Sequence, residues 1–173
     1  MSLANKITLA RAALIPLILV LLFLHQRGAA CGLFLLACAS DVLDGMVARR
    51  RGEVTTWGKA LDPTVDKALY ASLLISFFTL GEIPVLAFVL FLVPQVGLGV
   101  GALWLHLRSH IVQGSRGIGK AAAALTFIAM FFYLLELPYR IWVLYVAIAA
   151  SYFAGFDYLF AGLRAMGSRY RNS

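Results

Sequence analysis

The chain has 173 residues, of which 62% are hydrophobic and only 13% are charged, and its net charge is +7. Soluble domains average about 25% charged residues, so this composition excludes an ordinary soluble protein and predicts one integral membrane domain over residues 1–173. The basic residues stand at the ends of apolar segments instead of along one polar face, which argues against nucleic acid as a partner and favours membrane lipids.

Six apolar segments follow one another along the chain, each close to the ~20 residues that an α-helix needs to cross a bilayer. In order, they cover residues 7–24, 29–47, 61–80, 84–105, 118–137 and 141–163. The sequence therefore predicts an all-α, polytopic membrane protein with six transmembrane helices.

The polar breaks between these segments alternate in charge. Thirteen of the 15 lysines and arginines lie in or beside the N-terminal segment, the second and fourth breaks, and the C-terminal segment. The other two, Arg27 and Arg140, lie in the first and fifth breaks. Because cytoplasmic loops carry the excess of Lys and Arg, this pattern predicts that both termini and the second break are cytoplasmic.

Half of the eight acidic residues flank the second break, namely Asp41, Asp44, Asp62 and Asp66. A single aspartate at the centre of a membrane helix costs about 2.5–3.5 kcal/mol on insertion scales. Ionisable residues at membrane depth therefore indicate a functional site. Four of them together suggest a site for divalent cations.

The spacing of these aspartates favours one shared cavity. The first pair is separated by three residues and the second by four, so each pair lies on one face of its helix. Gly45 is one turn after Asp41 and Gly58 is one turn before Asp62. Glycine at these positions allows a backbone or a bulky ligand to approach closely. Two antiparallel helices would then present four carboxylates at the cytoplasmic ends of the second and third segments.

Four adjacent carboxylates repel one another unless protons or cations neutralise them. A ligand set made only of oxygen favours a hard ion, Mg²⁺ or Mn²⁺, and two such ions would balance the four charges. Pairs of divalent ions recur in enzymes that transfer groups at phosphorus. In a purely structural alternative, the aspartates form ion pairs with nearby cations, namely Arg49, Arg50, Arg51, Lys59 and Lys67. This alternative leaves the glycines and the regular spacing unexplained. A divalent-cation transporter and a non-catalytic scaffold are further alternatives, although no carboxylates line a path across the membrane.

At these residues the chain resembles the CDP-alcohol phosphotransferase (CDP-alcohol phosphatidyltransferase) family. All eight fixed positions of that family's motif are present, as Asp41-x2-Asp44-Gly45-x2-Ala48-Arg49-x8-Gly58-x3-Asp62-x3-Asp66. The resemblance covers nearly the whole chain, because the six-segment layout is also that of the family. It implies a membrane enzyme of phospholipid biosynthesis, in a bacterial-type inner membrane, that uses a CDP-linked lipid such as CDP-diacylglycerol and releases CMP.

The resemblance also implies roles for individual residues. Asp41, Asp44 and Asp62 would ligate a pair of metal ions, and Asp66 would complete the metal site and accept the proton of the acceptor hydroxyl. The CDP pocket would be lined by Gly45, Ala48, Arg49 and Gly58. For Arg49, a role as a forked donor to a phosphate oxygen competes with a role as a cytoplasmic topology anchor. The family resemblance further suggests a homodimer.

The N-terminus is similar to that of the phosphatidylglycerophosphate synthases within this family, with Ala4 in place of the usual proline. Asn5, Thr8 and Arg11 recur every three residues, close to one helical face, and would contact the nucleotide. The alternative makes Asn5 a helix N-cap and Arg11 a side chain that reaches to the membrane surface. This subfamily implies glycerol 3-phosphate as the acceptor.

The fourth break departs from that subfamily, since a second lysine and its threonine are absent after Gly119-Lys120. Arg108, Arg116 and Lys120 still predict an anion site for the acceptor's phosphate, with topology and lipid headgroups as the alternative. Another acceptor, such as inositol phosphate or serine, therefore stays open.

Overall fold

A computed structural model describes the backbone of residues 3–51, 56–109 and 117–170, and the side chains of residues 11–40, 65, 67–97 and 117–160. Within these ranges the chain is all-helical, with no strand. The six helices are α1 (Leu3–Phe23), α2 (Arg27–Arg51), α3 (Thr56–Thr79), α4 (Val85–Ser109), α5 (Gly117–Leu134) and α6 (Arg140–Tyr170). The predicted all-α class and the number of helices are thus confirmed.

Several helices continue past the apolar segments that predict them. Helix α3 begins at Thr56 instead of residue 61, and α6 continues to Tyr170 instead of residue 163. Hydropathy marks the stretch suited to hydrocarbon, whereas backbone hydrogen bonding also continues through polar residues. The 31 residues of α6 span about 46 Å, which exceeds the ~30 Å of a hydrocarbon core. Helix α5, by contrast, ends at Leu134, three residues before its predicted end, because a capping turn follows it.

The helices form two compact units. The first contains Met1–Glu82 and Met130–Pro138, and the second contains Ile83–Ala129 and Tyr139–Ser173. In the first unit α1 packs against both α2 and α3, and in the second unit α4 packs against α6. The first unit therefore holds the helices that carry the four motif aspartates.

Large apolar side chains fill the first unit. Ile18 and Leu22 of α1, Phe34 of α2 and Leu73 of α3 are fully buried. Phe77 of α3 and Tyr133 of α5 are also fully buried, with ring centroids 5.1 Å apart. Many of the described side chains at the surface are apolar as well, so close packing holds these helices together more than the hydrophobic effect does.

Two buried hydroxyl groups, those of Thr126 and Ser151, are satisfied within their own helices. Thr126 donates to the Ala122 carbonyl and Ser151 donates to the Ala147 carbonyl, each at 2.9 Å, in the second unit. Such bonds to the preceding turn remove the cost of placing a polar group among apolar side chains. These residues therefore need no ligand to explain their burial.

In the part of the chain that the structure describes, two helices are long and apolar enough to cross a membrane, over Gly117–Leu134 and Arg140–Phe160. Only 33% and 22% of these windows are buried inside the protein, whereas a core helix of a soluble protein would be mostly covered. Among the described residues, four further helices carry apolar runs of 10–17 residues, namely Arg11–Phe23, Arg27–Ser40, Lys67–Thr79 and Val85–Gly97. These features indicate a membrane protein, while six crossings stay a prediction.

Helices α1, α3 and α5 end in the same capping turn. In each, the residue after the helix cap has a left-handed backbone: His25 (φ 59°), Gly81 (φ 74°) and Glu136 (φ 53°). Two hydrogen bonds close each turn, as in the Schellman motif. In each turn, two backbone N–H groups donate to two carbonyls of the preceding turn, over 2.9–3.2 Å. The N–H groups of His25 and Gln26 donate to the carbonyls of Leu22 and Leu21, respectively. Those of Gly81 and Glu82 donate to Phe78 and Phe77, and those of Glu136 and Leu137 donate to Tyr133 and Phe132. Two carbonyls in the last turn of each of these helices are thereby satisfied without water.

The left-handed turn at Gly81 predicts that replacing this glycine by alanine changes stability in the opposite direction from the same replacement inside a helix. Gly81→Ala is expected to lower the free energy of unfolding by about 1–2 kcal/mol, because only glycine adopts this conformation without strain. A Cβ at residue 81 meets nothing within 4 Å, so no steric clash contributes. Gly32→Ala, within helix α2 and equally open, should raise stability by up to about 1 kcal/mol. Thermal unfolding of both variants in detergent tests this, and shifts of the same sign would contradict it.

Candidate active site

The four signature aspartates lie on two consecutive helices of the first unit. Asp41 and Asp44 are in the C-terminal half of α2, and Asp62 and Asp66 are in the N-terminal half of α3. The backbone is helical through both pairs, so the one-turn spacing that the sequence predicts is kept within each helix. The side chains of these aspartates lie outside the described residues. Their convergence on one cavity and the metal site therefore stay predictions.

The described side chains offer no alternative metal centre. Among them, no group of three or more His, Cys, Asp or Glu residues could hold a metal ion. The donor set of the signature, four carboxylates with no nitrogen or sulfur, suits Mg²⁺ or Mn²⁺. Those four aspartates consequently remain the candidate ligands.

The residues predicted to line the CDP pocket fall on the same two helices. Gly45, Ala48 and Arg49 lie in α2, and Gly58 lies in the first turn of α3. A glycine inside a helix costs about 1 kcal/mol relative to alanine. Two glycines inside helices, each one turn from an aspartate, are therefore consistent with close approach of a ligand. The side chains at these positions are outside the described part of the chain.

The helical face formed by Asn5, Thr8 and Arg11 lies on α1, which packs against α2 and α3, the two helices that carry the motif. Helix α1 begins at Leu3, which places Asn5 inside its first turn and not at its N-cap. The side chains of Asn5 and Thr8 are outside the described residues. Arg11 is only 1% exposed, so the expectation that it reaches out to the membrane surface is wrong. A permanently charged guanidinium that is buried needs polar or anionic surroundings, and the first unit must supply them at this level of α1.

The residues predicted to bind the acceptor's phosphate lie in the second unit. Arg108 is next to the end of α4, and Lys120 is in the first turn of α5, where it is exposed. Arg116 and the side chain of Arg108 lie outside the described residues. An exposed lysine fits either a ligand contact or a lipid headgroup, so the anion site stays a prediction.

An ion-pair cluster that sequence reasoning missed joins three of the polar turns in the first unit. The Arg27 guanidinium binds both carboxylate oxygens of Glu82, and its Nη1 lies 3.3 Å from Oε2. Its Nε is 2.9 Å from the Glu136 carboxylate, and Nη1 also donates to the Tyr133 carbonyl at 3.3 Å. That carbonyl belongs to the last turn of α5, where the helix dipole favours a cation. We refer to these residues as the Arg27 cluster.

The Arg27 cluster is largely shielded. The side chains of Arg27 and Glu82 are only 18% and 12% exposed, whereas Glu136 is 57% exposed. The hydrogen bond to Glu82 raises the pKa of Arg27 above its ordinary value, so the guanidinium stays charged at any working pH. The sequence contains a signal for this cluster. Glu82 lies in the third break and Glu136 lies just after α5, and Arg27 is one of the two cations that the charge pattern places outside the cytoplasm.

Arg27→Met is expected to lower the free energy of unfolding by about 1–3 kcal/mol, because it leaves the shielded Glu82 carboxylate without its arginine. Glu136→Gln is the matched control, since an exposed ion pair contributes less than about 1 kcal/mol. Thermal unfolding in detergent measures both. An additional Glu82→Leu change in the Arg27→Met background should recover part of the loss. Equal effects of Arg27→Met and Glu136→Gln would contradict this account.

The helices of the described residues, two of them long and apolar enough to cross a membrane, and the aspartate motif on two consecutive helices define a class of helical membrane protein. Residues 1–153 match the CDP-alcohol phosphatidyltransferase family. The chain therefore belongs to the CDP-alcohol phosphatidyltransferase family.

Relatives of this chain carry more specific names. A protein of Mycobacterium tuberculosis (strain ATCC 25618 / H37Rv), described as a probable phosphatidylglycerophosphate synthase, is 33% identical over 177 residues, covering 96% of this chain and 84% of the relative. The CDP-diacylglycerol–glycerol-3-phosphate 3-phosphatidyltransferase of Bacillus subtilis (strain 168) is 30% identical, covering 91% of this chain and 93% of the relative. The protein of that name from Rickettsia bellii (strain RML369-C) is 31% identical over 135 residues, or 75% of this chain and 71% of the relative.

Proposed function

We propose that this protein transfers the phosphatidyl group of CDP-diacylglycerol to glycerol 3-phosphate and releases CMP. The observation that carries this proposal is similarity over nine tenths of the chain to relatives named for that reaction. The complete eight-residue motif on α2 and α3 supplies the residues for the chemistry. The reaction supplies a phospholipid precursor from a lipid substrate in the membrane and a water-soluble acceptor.

In the proposed reaction, a hydroxyl oxygen of glycerol 3-phosphate forms a new bond to the phosphorus of the phosphatidyl group. The bond from that phosphorus to the CMP oxygen breaks, and CMP leaves with the electron pair. Asp66 accepts the hydroxyl proton, because an alcohol is a weak nucleophile until it loses that proton. The carboxylate of Asp66 is the base that the motif provides on α3.

Asp41, Asp44, Asp62 and Asp66 are the proposed ligands of two divalent cations, Mg²⁺ or Mn²⁺. When bound, such ions neutralise the diphosphate and stabilise charge on the leaving group. The carboxylates of α2 and α3 would hold these ions, and the glycines near them would leave room for the nucleotide. Arg49 and Arg11 add positive charge on α2 and α1 for the phosphate oxygens.

The buried position of Arg11 supports its place in the nucleotide pocket together with Asn5 and Thr8. Helix α1 packs on both motif helices, and a buried guanidinium is most stable beside anions. Arg108, Arg116 and Lys120 are the proposed site for the phosphate of the acceptor. The charge bias of the breaks supports six crossings, with both termini and the active site in the cytoplasm. We also expect a homodimer from the family membership.

The decisive experiment is an assay of purified protein in lipid nanodiscs with CDP-diacylglycerol and separate alcohols. We expect CMP release with glycerol 3-phosphate in the presence of Mg²⁺ or Mn²⁺, and none with chelator. Inositol phosphate and serine are the alternative acceptors used as controls, and each should give little CMP release. CMP release with one of these alcohols but not with glycerol 3-phosphate would show that the alcohol in question is the acceptor instead. No release with any alcohol, from protein that still unfolds cooperatively, would refute the proposed reaction.

A further inference from the structure

A cavity of about 210 Å³ lies between α4 and α6 in the second unit, and none of the proposed active-site residues lines it. Its wall on α4 is Val93, Pro94 and Gly97, and its wall on α6 is Tyr152, Gly155, Phe156, Tyr158 and Leu159. Apart from two tyrosine hydroxyls, these side chains present only carbon. The chemistry of the lining therefore selects an apolar ligand.

The sequence of the two helices explains why this space exists. Pro94 cannot donate the helical hydrogen bond to the Leu90 carbonyl, and such a proline bends or loosens a helix. Gly97 is one turn further on, and a Cβ at that position would meet nothing within 4 Å. Glycines at a helix crossing commonly let two backbones touch. At Gly97 the missing side chain instead leaves room beside α6.

The surroundings of the cavity are apolar as well. Val93, Phe156 and Leu159 are each at least half exposed, so the cavity opens to the outside of the helix pair. Val96, Phe153 and Phe160 beside it are 60–72% exposed. The α6 wall lies within the candidate span Arg140–Phe160, of which only 22% is buried. In a membrane protein, we expect a long helix with such an apolar, exposed surface to face hydrocarbon, so lipid chains are the expected neighbours of the opening.

We propose that the α4–α6 cavity binds one alkyl chain of a membrane phospholipid. The volume is below the ~300–1,000 Å³ of pockets that enclose a whole small molecule, which suits part of one long, thin chain. The cavity opens to the outside of the helix pair, and an alkyl chain in it makes van der Waals contact with both helices. The bound chain packs between α4 and α6 and stabilises their contact. It is not consumed in the proposed transfer reaction.

Photolabelling tests the proposal directly. The protein is placed in nanodiscs that contain a phosphatidylcholine with a diazirine near the middle of one chain, illuminated, digested and mapped by mass spectrometry. We expect labelling at Phe156 and Leu159 that falls about ten-fold in Gly97→Leu, whose side chain fills the cavity. Labelling at Trp142 and Val146, exposed on the same helix, should not change. Gly32→Leu on α2, where a Cβ also meets nothing within 4 Å, is the matched control and should leave all positions unchanged.

A second readout keeps the test decisive if Gly97→Leu is poorly folded. Gly97→Ala fills less of the cavity and should give an intermediate loss of label. Removal of bound lipid should lower the unfolding temperature of the natural protein, since a ligand of the folded state stabilises it, and should lower that of Gly97→Leu less. Equal labelling of Phe156 and Leu159 in all variants would overturn the proposal. So would labelling by a diazirine CDP-diacylglycerol alone, which would assign the cavity to the substrate.

Discussion

Asp66→Asn is expected to lower kcat by about 10²- to 10⁴-fold, the usual contribution of a positioned base, while metal-dependent CDP binding is partly retained. Asparagine has nearly the same shape as aspartate and keeps one carbonyl oxygen, but it cannot accept the proton of the acceptor hydroxyl. The expected pattern is therefore a loss of turnover that exceeds the loss of nucleotide affinity. CMP release under saturating substrates gives the first quantity, and calorimetric titration with CDP and Mn²⁺ gives the second.

Asp157→Asn is the matched control for this experiment. Asp157 is another membrane-helix aspartate, half-buried on α6 and outside the motif, and its replacement should leave kcat within a few-fold of the natural protein. If Asp66→Asn abolishes CDP binding as well, Asp66 acts mainly as a metal ligand. Full activity of Asp66→Asn would remove the base from the proposed reaction.

Asp62→Ala is expected to weaken the affinity for Mg²⁺ or Mn²⁺ by more than the roughly 10–100-fold that accompanies loss of an outer-shell partner. The reason is that alanine removes an oxygen ligand outright and leaves three carboxylates to hold two divalent ions. Activity should recover in part at high metal concentration, because the base at Asp66 is intact. Mn²⁺ binding followed by electron paramagnetic resonance gives the affinity without any need for turnover.

The control for metal affinity is Glu136→Ala, which removes an exposed carboxylate of the Arg27 cluster. It should leave the Mn²⁺ titration unchanged. An unchanged titration for Asp62→Ala would remove that residue from the ligand set. A similar weakening by both variants would point to general surface charge instead of a defined site.

The two polar regions of the first unit lie far apart along α2. Helix α2 begins at Arg27 and reaches Asp41 fourteen residues later, about 21 Å along its axis. The Arg27 cluster therefore lies at the capped ends of α3 and α5, and the aspartate motif lies in the opposite half of α2. This separation is the reason we expect Arg27→Met to change stability without changing metal affinity.

Much of the architecture could be predicted because it depends on local patterns. The apolar segments locate all six helices, and the spacing of Asp41, Asp44, Asp62 and Asp66 assigns them to α2 and α3. The helix ends were less predictable, since α3 begins five residues early and α5 ends three residues early. Hydropathy reports the preference for hydrocarbon, and it does not report where the capping hydrogen bonds form.

The sequence by itself determined the membrane class, the helix order and the complete family motif, because composition and residue spacing carry that information within short stretches of chain. Only the tertiary structure decided the burial of Arg11, the Arg27 cluster and the α4–α6 cavity. Arg27 meets Glu82 and the Tyr133 carbonyl across 55 and 106 positions of sequence, and Gly97 shares a cavity with residues on α6. Such contacts depend on how whole helices pack, and a periodic pattern within one helix does not contain that information.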